Sequence, residues 1–309
     1  QDLATYSAGQ GTLADRATRA FAGMLTAAHN LTNVCVVVSD LTGTYEVGSD
    51  FINQALRSAQ GELNRQEVDI TPVDLESEDA YQILRKRLIR SMPEDDVIDA
   101  VAESYARALQ TAEAANIVDK GAEQITREIR SSYPFHPELK HLFAMFSNNL
   151  QFRQTRGLME LGSLLLKSVW ANDFETYLVG PQHFDLALRQ VRDRLGEISR
   201  LESAIASDVY DASGGSTAQT IDADLGNRSA SEAASLLLTA SLSTVGNESR
   251  GLRKNDALAI LIHPNGGEED YSAAIDRLYL RASYMHKTAE GRLYFDRLEN
   301  LNVLLDQNA

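Results

Sequence analysis

Apolar residues recur at helical spacing over most of this 309-residue chain and at strand spacing in only a few short stretches. Leu13, Ala17, Phe21, Met24, Leu25 and Ala28 lie on one face of a helix predicted over 14–29. Val34-Cys35-Val36-Val37-Val38 is a continuous apolar run ended by Ser39-Asp40, the pattern of a strand covered on both faces. Phe51 to Leu63 returns to helical spacing. Val68 to Val73 then alternates as a strand that Pro72 closes. Helix, buried strand, helix, strand is the second half of an α/β nucleotide-binding sheet, assigned here to residues 1–73.

From Leu75 the strand signals stop. Tyr81, Leu84 and Leu88 form one stripe, and Ile98, Val101, Tyr105 and Leu109 a second behind the acids of Glu94-Asp95-Asp96. A third helix is predicted near 122–129. Pro134 and Pro137 delay the next helix to Pro137 or later, where Leu139, Leu142, Phe143 and Phe146 share a face. Leu158, Leu161, Leu164, Leu165 and Val169 follow the Ser147-Asn148-Asn149 break, and Phe184 to Ile205 reads as one more amphipathic helix. These helices make an all-helical region, 74–206. Residues 207–230, rich in small polar residues, read as an exposed linker. In 231–309, helices are predicted at Ala233–Leu242, Ala257–Ile262 and Tyr271–Tyr284, with Arg292–Phe295 as a strand. Three helices and a terminal strand or hairpin is the winged-helix pattern. The fold class expected is mainly α with an α/β portion.

Charge and cysteine narrow the function classes. With 29 Lys and Arg against 44 Asp and Glu, the formal net charge is −15, which disfavours nucleic-acid binding by the surface at large. The single cysteine, Cys35, forms no internal disulfide and fits a reducing, cytoplasmic setting. No apolar run reaches membrane-spanning length, so no membrane partner is expected. No Gly-x-x-x-x-Gly-Lys-[Ser/Thr] phosphate loop is present. The abrupt opening at Gln1 reads as a piece of something longer. His136 and His141 are five apart and do not suggest a metal pair, and acidic triplets before helices read as caps.

Arg153 and Arg156 stand at the head of the helix that contains Leu158. Positive charge there opposes the helix dipole, which suggests guanidiniums held toward an anion. Arg156 could equally pair with Glu160 one turn on. In the tail, Arg253, Lys254 and Arg281, with Arg277, Lys287 and Arg292, would form a DNA-binding patch only if they shared one face.

Tyr133-Pro134-Phe135-His136-Pro137-Glu138-Leu139, followed by Phe152-Arg153-Gln154-Thr155-Arg156-Gly157-Leu158, resembles the AAA+-type P-loop ATPases of a bacterial family, domain of unknown function 499. Ile70-Thr71-Pro72-Val73, Tyr294-Phe295 and Asn300-Leu301-Asn302 extend the likeness. Such proteins are often associated with anti-phage defence. The resemblance implies a partial AAA+ core, a helical lid and a winged-helix tail that couple ATP binding and hydrolysis to remodelling. It implies ATP and Mg²⁺ as cofactors, held through a phosphate loop outside this sequence, with protein partners or a homo-oligomer. Arg156 would be the lid arginine facing the γ-phosphate, with Arg153 bracing the same loop. Arg65 would be an arginine finger, Asp2 the acid after the second-motif strand, and Ser39 the polar sensor at the end of the buried strand. The competing expectation is a non-enzymatic helical and winged-helix module that binds protein or DNA.

Overall fold

Tyr81 shows why the first helices assemble as they do. Helix α1 (Asp79–Leu88) buries Ala80, Tyr81 and Leu84 on one face and carries Arg85, Lys86 and Arg87 in its last turn, where cations suit the helix dipole. Helix α2 (Asp95–Ala114) buries Ile98, Ala102, Tyr105, Leu109 and Ala112, an unbroken stripe at helical spacing. Helix α3 (Ala122–Ser132) packs on α2, and Arg130 meets Asp99 across them at 2.6 Å. The Tyr81 hydroxyl sits at the far side of this layer. It lies 2.9 Å from the His136 carbonyl, also touches that of Pro137, and accepts the Lys140 N–H at 2.9 Å. The Tyr-Pro-Phe-His-Pro block is thereby fixed to α1. Its other edge pairs with a distant segment, His136 N–H to the Val179 carbonyl and Val179 N–H to the Pro134 carbonyl.

These features come from a computed structural model that describes residues 79–114, 117, 122–140, 155–172, 176–242 and 250–300, with scattered helical and loop positions between 20 and 34. The chain divides into two compact units, Gln1–Pro72 and Val73–Ala309. Residues 35–38 and 68–73 of the expected strands, and the stripe beyond Lys140 to Phe146, lie outside the described residues.

Helix α4 (Thr155–Asn172) crosses α1 where Gly162 faces Leu84. A Cβ at Gly162 would stand 2.6 Å from a Leu84 methyl, so the bare backbone sets how closely the two helices approach. The helix expected over Phe184 to Ile205 is instead divided. A 3₁₀ turn (Pro181–His183) leads into a turn in which Asp185 accepts the Ala187 N–H, and α5 spans only Arg189–Ser199. It ends at Arg200 in the left-handed region, φ 54°. A short turn at Glu202–Ala204 then runs into a π-helical turn, Ile205–Val209.

Residues 207–230, expected as an exposed linker, are structured. Asp208, Val209, Ser216, Ala218 and Ile221 are buried, and α6 (Thr217–Leu225) occupies the middle. Its start was written in Ser216 and Gln219, a capping box, and its end in Gly226, at φ 72°. Low hydropathy hid the helix because small residues cover its inner face.

Helix α7 (Ser229–Ala240) is buried on nearly every side and joins the two halves of this unit. Its Ala230, Ala233, Ala234 and Ala240 are small enough to be enclosed by α6, the 181–183 turn, a later helix and the sheet. One apolar cluster accordingly runs from Ala80 to Phe295, and the expected division between 74–206 and 231–309 does not separate two cores.

After α7 come β1 (Leu252–Arg253), α8 (Lys254–Leu261), α9 (Glu268–Arg281), β2 (Met285–Lys287) and β3 (Arg292–Phe295). The strands form an antiparallel sheet in the order β1-β3-β2. Leu252 pairs with Leu293, Arg253 with Arg292, His286 with Tyr294 and Met285 with Phe295. Met285, Leu293 and Phe295 point inward, and by strand alternation Arg292 and Tyr294 point outward. Helix α9 stops at Arg281 rather than Tyr284, because Ala282 is extended at its C-cap. The described residues are mainly helical with one small sheet, in keeping with the mainly α expectation.

Candidate functional site

Asp208 is the buried charge around which two segments of the second unit meet. It lies in the π-helical turn, fully enclosed, with no cation against it among the described residues. Its carboxylate accepts the N–H of Ser283 at 3.0 Å and of Tyr284 at 2.6 Å, both in the link between α9 and β2. The hydroxyls of Ser207 (3.0 Å) and Thr217 (3.1 Å) complete its partners. Burial pushes this carboxyl above the ordinary aspartate range, and the four donors pull it back without fully offsetting the desolvation. A turn, the head of α6 and the start of the hairpin are thus held by one side chain. The same link is tied on its carbonyl side, where Tyr284 accepts from Asp296 N–H and Ser283 from Asn300 N–H.

A polar seam of histidines and tyrosines lies elsewhere in the same unit. The His136 ring meets Tyr105 edge-on at 6.2 Å, and Tyr105 meets Tyr177 at 6.4 Å. His183 Nδ1 lies 3.0 Å from the Gly180 amide and 3.2 Å from the Gly180 carbonyl, so its tautomer sets whether it accepts or donates there. Burial lowers the His183 pKa to about 4 against the opposing pull of the Gly180 backbone, and the nearby charges of His263, His136 and Arg228 add to the lowering. His263 Nδ1 accepts from Asn265 N–H, and its ring stands edge-on to Tyr271. Tyr271 in turn donates to Glu232 at 2.6 Å. Each histidine ring lies against the backbone of its own turn, with His136 accepting from Glu138 N–H. Among the described residues no group of three or more His, Cys, Asp or Glu could hold a metal ion.

The outer face of the sheet carries a cluster of cations and aromatic rings. Arg253 and Arg292 are direct cross-strand partners. Tyr294 is stacked by His286 at 5.6 Å and by the Arg250 guanidinium at 4.6 Å, and Arg250 also reaches Asp296 at 2.8 Å.

Residues 76–222 match the DUF499 second domain. The match covers α1 through most of α6, Asp208 included, and is a likeness of that segment. No curated protein and no solved structure matches the chain. The DUF499 segment contains the Tyr133–Leu139 block and ends before α7, so the sheet-bearing tail lies beyond it. No helix among the described residues is long and apolar enough to cross a membrane.

Of the residues singled out from the sequence, Asp2, Ser39, Arg65 and Arg153 lie outside the described residues. Arg156 is the second residue of α4, inside the DUF499 segment, and its side chain is likewise outside them. Glu160, the alternative partner for Arg156, is paired with Arg194 of α5 at 2.9 Å. In the tail, Lys254 contacts both Asp276 oxygens at 2.7 Å, and Arg281 meets Asp224 of α6 at 3.0 Å. Two of the three cations expected to serve DNA are therefore each held by a carboxylate on another helix. Arg253 instead faces Arg292. Asp208 and the Arg253–Arg292 pairing were missed. A buried aspartate in a Ser- and Gly-rich stretch reads as surface, and strand register across forty residues leaves no local signal.

Proposed function

We propose that the chain is the C-terminal part of an AAA+-like ATPase, in which the DUF499 helices act as a lid and the tail as a winged helix. Their role is to carry a nucleotide-driven change from an ATPase core to a partner, with anti-phage defence as the setting its resemblance suggests. The observation that carries this reading is the continuous core through α7 together with the Asp208 tie. A displacement of the lid helices is thereby passed to the hairpin rather than absorbed in a linker. The order helix, strand, helix, helix, strand, strand, with sheet order β1-β3-β2, supports the winged-helix assignment. ATP and Mg²⁺ belong to a phosphate loop outside this sequence. In this reading the lid contributes Arg156 to the phosphate and, with the tail, the coupling.

The test is Mg-ATP turnover by the protein with its phosphate loop, in the wild type and in Arg156→Ala. A fall of about 10²-fold or more in turnover with ATP still bound is expected of an arginine that acts on the transferring phosphate. Unchanged turnover overturns the lid assignment. The chain alone is expected neither to bind ATP tightly nor to hydrolyse it.

A second reading, a non-enzymatic interaction module, is favoured by the charge of α9. Glu268, Glu269 and Asp270 fill its first turn, and the Asp276 side chain remains 62% exposed while pairing Lys254. A helix so charged repels a duplex groove and suits a protein partner.

A further inference from the structure

We propose that the outer face of the tail's sheet is an oxyanion site, in which Arg253 and Arg292 grip a phosphate-class anion between β1 and β3. Like charges placed directly opposite each other on an antiparallel pair destabilise it. This sheet nonetheless sets two arginines in register. Neighbouring cations are compensated, Lys254 by Asp276, Arg281 by Asp224 and Arg250 by Asp296. Among the described residues, neither Arg253 nor Arg292 makes an ion pair, although acidic residues outnumber basic ones by 44 to 29 in the chain.

One of the two guanidiniums is already positioned. Arg292 Nη1 donates to the Gly251 carbonyl at 3.1 Å, which anchors it at the mouth of β1 and leaves its remaining N–H groups available. Arg253 is exposed opposite it. Two planar forks of five donors each match the geometry of a tetrahedral oxyanion better than ammonium groups would. Arg250 does not add to the grip, since Tyr294, Asp296 and the Phe295 carbonyl occupy it. It stiffens β3 from the same side.

The competing anion is Glu290, in the turn between β2 and β3. Its own amide and Thr288 hold its carboxyl below the usual range, and the charges of Arg292 and Arg253 act in the same direction. It is near enough to feel both arginines without forming an ion pair with either. An incoming oxyanion has to oppose this charge, so removing it strengthens the site.

The phosphate group can belong to a free anion or to a nucleic-acid backbone, and two probes separate these. Titration calorimetry of the full chain with pyrophosphate tests the first, and anisotropy with a short labelled DNA duplex the second. Arg253→Ala, an exposed change, and Arg292→Lys, which keeps the charge but loses the fork, are each expected to weaken binding. A loss of about ten-fold is expected for Arg253→Ala, corresponding to one charge-assisted contact. Glu290→Gln is expected to tighten it by roughly three-fold, the effect of one screened charge. Arginine-dependent binding of pyrophosphate identifies a free-anion site. The same dependence with the duplex alone, falling with salt by a log–log slope of roughly 0.9 per contact, identifies backbone phosphate. The proposal is overturned if neither probe binds, or if Arg189→Ala on α5 weakens binding as much as Arg253→Ala. The outcome does not depend on the ATPase reading, which Arg156→Ala tests separately.

Discussion

Asp208 accepts the Tyr284 N–H at 2.6 Å, joining the π-helical turn before α6 to the first residue before β2. The contact spans 76 residues of sequence and is made by a carboxylate with no access to solvent. Asp208→Ala leaves the amides of Ser283 and Tyr284 buried without their acceptor. At about 1–3 kcal/mol for each of the two unsatisfied groups, the expected loss of stability is roughly 2–6 kcal/mol. Hydrogen exchange should quicken first at residues 283–296, while α2 and α3 keep their protection. Uniform acceleration across the unit would show that Asp208 holds the whole core and not the hairpin alone.

Acid should loosen the polar seam through His183. Its folded pKa, about 4, lies below the ordinary 6.5, so the folded state resists protonation. Its contribution is fully present above pH 6.5 and is lost as pH falls from there toward 4, on the order of 3 kcal/mol at the lower end. Asp208 and Glu232 act in the opposite sense. Burial raises both, so protonating them favours the fold as pH drops. The difference in melting temperature between wild type and His183→Gln isolates the histidine. That difference should narrow steadily from pH 7 to pH 4, and a constant gap would remove His183 as the acid-sensitive group.

Tyr81→Phe keeps the ring that packs within 6.4 Å of Phe135 but removes the hydroxyl. The carbonyls of His136 and Pro137 and the N–H of Lys140 then lose a buried partner. A destabilisation of about 1–3 kcal/mol is expected from urea unfolding, with little change in the slope. A value near zero would mean that water takes the place of the hydroxyl.

How far the sequence could be read depends on the range of the forces involved. The stripes at Tyr81–Leu84 and Ile98–Leu109 became α1 and α2, because amphipathic burial repeats every turn and is visible locally. The strand at Arg292–Phe295 also matched, since its alternation follows a glycine turn. The linker expectation failed at Asp208 because the small polar residues of 207–230 resemble a loop in composition even where the Ser216–Gln219 capping box starts a helix. The histidine seam was invisible for a different reason. His136, His183 and His263 are brought together by packing, and each alone looks like a turn residue. The pairing of Arg253 with Arg292 depends on register, which only the closed sheet sets.

The same sheet yields the last prediction. Gly251 precedes β1 at φ 80°, a conformation that side chains resist, and a Cβ there would collide with the backbone carbonyl of Leu293. The obstacle is β3 itself and cannot rotate away. Gly251→Ala therefore adds the left-handed cost of about 1–2 kcal/mol to a clash that only separation of β1 from β3 relieves. It also displaces the carbonyl that holds Arg292, so the arginine pair should come apart with the strands. The total loss should be roughly 2–4 kcal/mol by thermal unfolding, with faster amide exchange at Leu252 and Leu293. Gly226→Ala is the comparison. It shares the positive φ, 72°, but a Cβ there has no heavy atom within 4 Å, so only the conformational cost applies. Equal losses in the two variants would show that close approach to β3 contributes nothing, and that the β1 edge yields without strain.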